Sequence, residues 1–431
     1  MDSKGNIHGG RQVVYTDSPR LLIRMAREYG GKAWFSKGNA QTRWLRFEIA
    51  GTTYYPGAEN VTLESVKQLE EFAARRNVKL GALPSVAFNL FRTTLPRTIE
   101  VAGRGETIPQ KYPRGARLHA APGLYRDCVY FDIRAAYLWS IGTLRFPVAY
   151  CTPSRIKLSE LALLPGSFAR ARVSFKRLDV PFGILPALRK DGSTSWVNRG
   201  GHTLILTGED LMIAHLCGAH IRIDRAWVGA SFVSPFERFY ELGREMRHSC
   251  GTLGKQVANM LWGVFWAGGA DIWEAKFERG SRRFTTRQLH SREPLSFPIG
   301  ASVLSRIRSK VFMEGVSRST VHVHTDGVIS TEPPLVSYGD EPGDWRLVGT
   351  LDECEVLAPG WYRYRVGTTE KFKLAGRAAT EEKARRIFHH RRGEYERQEN
   401  TYGSAEAWAD FHQLRDGRSR PNAPLRTGDG S

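Results

Sequence analysis

Apolar residues recur at helical spacing in residues 21–29 and 63–76, and they alternate across 45–55 like two strands turning at Gly51. Residues 106–114, basic and Pro-containing, predict a linker. From residue 117 the pattern becomes strand, helix, strand. Residues 128–133 predict a short strand and 134–144 a helix; 168–175 and 222–227 predict further strands, with a helix at 208–217 between them. Two helices follow, 235–247 and 252–265, joined by a loop around 248–251. A polar hairpin spans 271–289 with basic residues 279–283 at its tip, then a helix at 301–314 and a hairpin at 320–331 turning at Thr325-Asp326-Gly327. A charged helix at 380–399 precedes a tail, 415–431, whose Arg, Gly, Pro and Ser content is that of a disordered segment. No repeat of 20–50 residues is visible. The pattern predicts an α+β protein with mostly antiparallel strands.

Length and composition narrow the class. A chain of 431 residues predicts two to four domains at about 100–200 residues each. Hydrophobic residues make up 41%, enough for a substantial core, which excludes a disordered chain or a disulfide-framed miniprotein. The five cysteines are scattered without a Cys-x-x-Cys pair, so reduced thiols are expected. No run approaches the ~20 apolar residues of a membrane span, and residues 1–12 are polar with no signal-peptide core. A soluble intracellular protein is the expectation, without a membrane partner. Its 63 Lys and Arg exceed its 44 Asp and Glu, giving a net charge of +19 and pointing to a polyanionic partner.

The candidate chemistry begins with exclusions. Residues 251–256 look like a phosphate loop, but Ser249 and Gln256 stand where Gly and Ser or Thr are needed. His322 and His324 fall on one face of a strand, an arrangement open to a metal pair and more often mere polar surface. Three other segments make more sense together. An apolar strand ends in Asp132 and leads to a helix bearing Tyr137; Lys255, Asn259 and Gly263 recur every four residues, one stripe of a helix; and Asp326 sits at a hairpin turn. Two carboxylates on separate strands and a helix bearing Lys are what metal-assisted phosphoryl transfer requires. Taken singly, Asp132 reads as a helix cap, Asp326 as turn chemistry, Lys255 as a solvated charge and Gly263 as a packing glycine.

In order and spacing these segments resemble motifs A, B and C of family B DNA polymerases, nearest to the viral, organellar and protein-primed subgroup. Asp132 to Tyr137 is similar to Asp-x-x-Ser-Leu-Tyr, Lys255 to Gly263 to Lys-x-x-x-Asn-Ser-x-Tyr-Gly, and His322 to Gly327 to Tyr-x-Asp-Thr-Asp-Ser. Residues 371–376 resemble the Lys-rich motif that follows motif C, and 207–211 a run preceding the fingers. The resemblance covers about 117–376 and implies a right-hand polymerase: an antiparallel palm, helical fingers and a small thumb. It implies metal binding by Asp132, the Ile133 carbonyl and Asp326, with two Mg²⁺ ions or alternatively Mn²⁺. Tyr137, Arg244, Arg247, Lys255 and Asn259 would contact the nucleotide, and Thr325, Lys371 and Lys373 the primer or DNA. The expected partners are primer–template DNA, dNTPs and a terminal protein or other replication factor, in a phage, virus or mobile element within a host cytoplasm.

The same resemblance divides the chain into an N-terminal domain (1–97), a first palm segment (98–234), fingers (235–268), a second palm segment (269–376) and a thumb-like helix with a basic tail (377–431). Within the first of these, 62–97 resemble the tail of an exonuclease, and the absence of Asp-x-Glu implies a polymerase without proofreading. The hairpin at 271–289 corresponds either to a strand-encircling insertion or to a plain hairpin touching DNA phosphates. Basic clusters at 279–283, 306–310 and 385–392 are further phosphate candidates. Three departures stand out. His324 takes the place of the first motif C Asp, which implies weaker Mg²⁺ binding, a preference for Mn²⁺, or lost chemistry. Ala135 and Leu138 replace the motif A Ser and Pro, and Trp262 the motif B Tyr. Templated DNA synthesis is the expectation; the rivals are an inactive DNA-binding relic and a primer-independent polymerase.

Overall fold

A computed structural model describes residues 13–16, 19–37, 42–56, 61–95, 112, 118–175, 183, 185–188, 194–197, 200–266, 270–281, 283–292, 297–358, 360–374, 384–390 and 392. In chain order the elements are β1 (Val13–Thr16), α1 (Pro19–Tyr29), β2 (Gly31–Lys37), β3 (Thr42–Ile49), β4 (Thr52–Pro56), α2 (Leu63–Ala74) and α3 (Leu83–Thr94). Then come β5 (Leu118–Ala120), β6 (Gly123–Ile133), α4 (Ala136–Thr143), β7 (Phe146–Cys151), α5 (Leu158–Leu163), β8 (Phe168–Phe175), β9 (Leu185–Leu188), β10 (Thr194–Val197), β11 (Gly200–Thr207) and α6 (Gly208–Leu216). After β12 (His220–Val233) follow α7 (Glu237–Ser249), α8 (Gly251–Trp266), β13 (Ala270–Phe277), β14 (Phe284–Arg292) and α9 (Phe297–Lys310), which runs into a π-helical turn (Val311–Gly315). The rest is strand: β15 (Thr320–His324), β16 (Gly327–Ser330), β17 (Trp345–Ala358), β18 (Trp361–Val366) and β19 (Thr369–Leu374).

The chain divides into two discontinuous units. The first comprises 1–110, 135–170 and 223–306, and the second 111–134, 171–222 and 307–431. The first unit holds a six-stranded sheet in the order β1-β4-β3-β2-β13-β14. Only the β1–β4 pair is parallel among its registered pairs. Alternation drives Ala33, Phe35, Phe47, Ala275 and Phe277 into one core with Leu22 and Ala26 of α1. The hairpin β13–β14 is thus built into the N-terminal sheet, with β13 paired along β2 from Asp271↔Lys37 to Phe277↔Gly31. A helical layer accompanies the sheet. Thr62 and Ser65 form a capping box that starts α2, and Pro84 opens α3. Helix α8 buries Leu253, Val257, Leu261 and Val264 along one stripe, and Phe91, Phe236 and Phe265 interlock with centroids 4.6–5.7 Å apart.

The second unit is built on a seven-stranded sheet, β19-β18-β17-β6-β16-β15-β5, whose pairs are all antiparallel. Its sheet curls. His322 on β15 lies 4.3 Å from Tyr362 on β18, whereas a flat sheet would hold these strands roughly 19 Å apart. The fold closes around Cys128, Val321, Ile329, Leu351, Cys354 and Val356. A second buried cluster joins Tyr112, Asp210 and Arg308. Arg308 Nη2 donates to both Asp210 oxygens at 3.2 Å and to the Tyr112 hydroxyl, which donates to Asp210. Asp210 also completes the α6 capping box with Thr207.

The predicted helices and strands appear with shifts of a few residues, and the structure corrects several local readings. Asp132 does not cap the helix after it: the N-cap of α4 is Ala135, in the left-handed region at φ 44° with no side-chain cap. The helix placed at 301–314 starts at Phe297 and ends in the π turn. The basic cluster at 306–310 is not a row of solvated charges, because Arg308 is buried in its ion pair and Lys310 meets Glu314 at 2.6 Å. His322 is core, not polar surface. Of the predicted linker only Tyr112 is described, and of the 380–399 helix only 384–390 and 392; the tail lies outside the described residues.

Candidate active site

Asp132 and Asp326 are brought near one another in the second unit by backbone pairing. Strand β6 runs beside β16 with Asp132 opposite Gly327, and the Ile133 amide donates to the Asp326 carbonyl at 3.1 Å. The hairpin β15–β16 closes through Thr325 and Asp326 alone, since His324 pairs with Gly327. Thr325 sits at φ 64°, and Ala135 on the other side at φ 44°. A β-branched residue at positive φ costs about 1–3 kcal/mol, and such outliers concentrate at functional sites.

A third strand brings an unforeseen partner. Arg346 of β17 lies opposite Asp132 in the register, and its Nε and Nη2 donate to Oδ1 and Oδ2 at 3.0 and 2.6 Å. This is the fork geometry of a strong guanidinium–carboxylate pair. Those hydrogen bonds, with the charges of Asp132 and Asp326, hold the guanidinium protonated above its ordinary value despite partial burial. The loop before β17 is clamped by Arg134: its amide donates to Asp344 O at 2.8 Å, its carbonyl accepts from Gly343 N at 2.7 Å, and its guanidinium reaches Gly339 O and Asp340. Tyr130 lies close enough for both carboxylates to add to the burial that raises its hydroxyl.

His324 is held neutral. Burial, and then the positive charge of Lys373, push its imidazole below the ordinary value. His322 beneath it is fully buried and accepts the Gly360 amide on Nε2 at 3.0 Å, leaving the proton for Nδ1. The two rings are 6.3 Å apart, with His322 committed to the core. Lys373 and Lys371 are exposed on one face of the edge strand β19.

The other predicted residues belong to the first unit. Tyr137 on α4 stacks on Trp262 of α8, with centroids 4.7 Å apart and planes 7° from parallel. Lys255 is exposed on α8, and Asn259 one turn on carries a buried Oδ1 that has no hydrogen-bond partner among the described residues. An added Cβ at Gly263 would meet no described atom within 4 Å, so this glycine leaves bare backbone and does not serve packing. Arg244 and Arg247 sit on α7, Arg244 3.5 Å from Glu241.

The donor set bears on the metal. Mg²⁺ commonly takes one or two carboxylates and completes its shell with water and substrate phosphates. Asp132, Asp326 and the Ile133 carbonyl fit that requirement for one ion. Among the described residues there is no cluster of three or more metal-ligating side chains, and one of the two carboxylates already carries a guanidinium.

No protein-family model and no curated protein matches the sequence. Solved structures do. Phi29 DNA polymerase in an orthorhombic crystal form aligns over 86% of this chain and 85% of its own, at 11% identity and a TM-score of 0.60. The ternary complex of Phi29 DNA polymerase with primer-template DNA and incoming nucleotide substrates aligns over 78% and 76%, at 11% identity and a TM-score of 0.59. Its complex with single-stranded DNA aligns over the same shares at 12% identity and a TM-score of 0.54. The chain therefore shares the fold of Phi29 DNA polymerase, a mixed α/β architecture with extensive antiparallel sheets. No helix among the described residues is long and apolar enough to cross a membrane.

Proposed function

We propose that this protein is a DNA-directed DNA polymerase that extends a primer 3′ end on a template and carries no proofreading site. The observation that carries the reading is the placement of Asp132 on β6 beside the β15–β16 turn that holds Asp326, joined by the Ile133–Asp326 backbone bond, within a fold shared with a DNA polymerase. In this reading the second unit's curled sheet is the palm, and helices α7 and α8 are the fingers.

A divalent cation held by Asp132, Asp326 and the Ile133 carbonyl would supply Lewis acidity toward the α-phosphate and the attacking 3′-oxygen. The chain's own groups do the rest. Lys255 neutralises triphosphate charge, joined by Arg244 and Arg247. Asn259 offers an acceptor whose desolvation is already complete, so a donor from the nucleotide gains a full hydrogen bond. Tyr137, braced by Trp262, bounds the sugar side of the nucleotide. Lys371 and Lys373 present charge to the primer phosphates, and the net charge of +19 suits a duplex partner.

The test is primer extension on a DNA template with Mg²⁺ and, separately, Mn²⁺. Wild type should extend in a template-directed manner. Asp132→Asn and Asp326→Asn should each lose on the order of 10³-fold, because each removes a charge that acts on the developing phosphorane. Full activity in either variant overturns the assignment. A second reading is favoured by the Asp132–Arg346 pair and by His324: a DNA-binding protein that keeps the palm as a scaffold. Firm Mg²⁺-independent DNA binding with no incorporation under either metal would establish that reading.

A further inference from the structure

We infer that the guanidinium of Arg346 is a built-in cation of the active site, standing in for one of two metal ions, so that the centre takes a single divalent ion. The inference rests on the polymerase reading and concerns its metal stoichiometry.

Three observations carry it. The first is geometric. Arg346 engages both oxygens of Asp132 in a fork, at 3.0 and 2.6 Å, from the directly opposed register position on β17. A guanidinium seated this way is a fixed positive charge at the carboxylate that would otherwise bridge two ions. The second is preorganisation. Trp345, its neighbour, is buried and donates from Nε1 to Glu314 at 2.8 Å, while Arg134 pins the 339–344 loop by four contacts of 2.7–2.8 Å. The backbone that carries Arg346 is therefore fixed opposite Asp132 before any ligand arrives.

The third is charge and donor count. Asp132 and Asp326 bring two negative charges and Arg346 returns one, leaving a net of one negative charge in the cluster. One divalent ion on the two carboxylates and the Ile133 carbonyl suits that site, and among the described residues no cluster of three or more metal-ligating side chains is present to hold a second. Arg346 positions Asp132 and supplies the charge from a covalently fixed side chain.

Mn²⁺ itself is the probe. The full chain is titrated with Mn²⁺ and free ion is followed by its paramagnetic resonance signal, for wild type, Asp132→Asn, Arg346→Met and Arg346→Lys, with circular dichroism and melting to verify folding. Wild type should show one Asp132-dependent Mn²⁺ site. Arg346→Met should bind that ion roughly tenfold or more tightly, because a unit charge a few ångströms away is gone. Arg346→Lys keeps the charge and loses the fork, so its Mn²⁺ affinity should stay within about threefold of wild type while primer extension falls at least tenfold. Two Asp132-dependent sites in wild type, or unchanged Mn²⁺ affinity in folded Arg346→Met, overturns the inference. Extension assays run alongside keep the two questions apart: an active enzyme with two sites refutes only the single-ion centre, whereas one site with no extension refutes the polymerase.

Discussion

The two units place their candidate chemistry by different means. In the second unit, Asp132, Arg346 and the turn holding Asp326 are set by backbone register: three strands pair and bring these residues close whatever their distance in sequence. In the first, Tyr137, Lys255 and Asn259 ride on helices whose positions are fixed by packing of Phe91, Phe236 and Phe265. Register sets positions discretely, because a slip of one residue would turn Asp132 to the other face. Helix packing adjusts continuously. On the proposed function, a centre that holds an ion gains from the first arrangement, and a surface that accommodates four different nucleotides gains from the second.

The difference extends to what stabilises each unit. Beneath its strands the second unit carries the buried polar cluster of Tyr112, Asp210 and Arg308, with Asp210 and Arg308 each about 1% exposed. Removing one member strands a charge in the interior. Arg308→Met should cost about 3–5 kcal/mol in urea unfolding, and the double variant Arg308→Met/Asp210→Leu should recover a large part of it. An Arg308→Met protein as stable as wild type would show that the second unit does not depend on this cluster.

His322 gives the next largest effect. Its ring is buried as a neutral acceptor, and burial, followed by the neighbouring His324 and His119, keeps it well below the ordinary value of 6.5. An unfolded chain protonates this histidine below about pH 6.5 and the folded chain does not. Its contribution is complete above that pH and is lost as pH falls, at up to about 1.4 kcal/mol per pH unit. Urea midpoints at pH 7.5 and 5.5 should separate in wild type and draw together in His322→Gln, which retains an acceptor. Equal slopes in the two proteins would remove His322 from the acid sensitivity of the hairpin.

The sequence carried the local half of this architecture. The stripe of Leu253, Val257, Leu261 and Val264, the Asp326-Gly327 turn and the strand running to Ile133 were readable because each depends on neighbours in the chain. Asp132 and Asp326 could be picked out by spacing and by resemblance, and strand pairing puts them together. Arg346 could not be foreseen: it is 214 residues from Asp132, and nothing in 345–374 announced that β17 would lie against β6. The same holds for β13, which read from sequence only as one arm of a polar hairpin and gave no sign of β2 as its partner. Arg308 misled for the opposite reason. In a run of basic residues it looked like surface, and only the fold supplies the buried Asp210 that makes its burial tolerable.

Two glycines of α8 test the helical side most closely, and the second gives the smallest effect. A Cβ at Gly254 would stand 2.1 Å from the Met246 carbonyl oxygen of α7, so Gly254→Ala should force the helices apart and cost about 1–3 kcal/mol. At Gly263 the same atom meets no described atom within 4 Å, and alanine is the better helix former, so Gly263→Ala should gain about 0.5–1 kcal/mol. Selection for stability alone would not retain a glycine there. If Gly263 keeps the backbone bare for a nucleotide or template base, Gly263→Ala should melt higher and yet show a several-fold rise in KM for dNTP. Higher stability with unchanged kinetics would mean that α8 is a scaffold at this point, and that its ligand contacts end with Lys255 and Asn259.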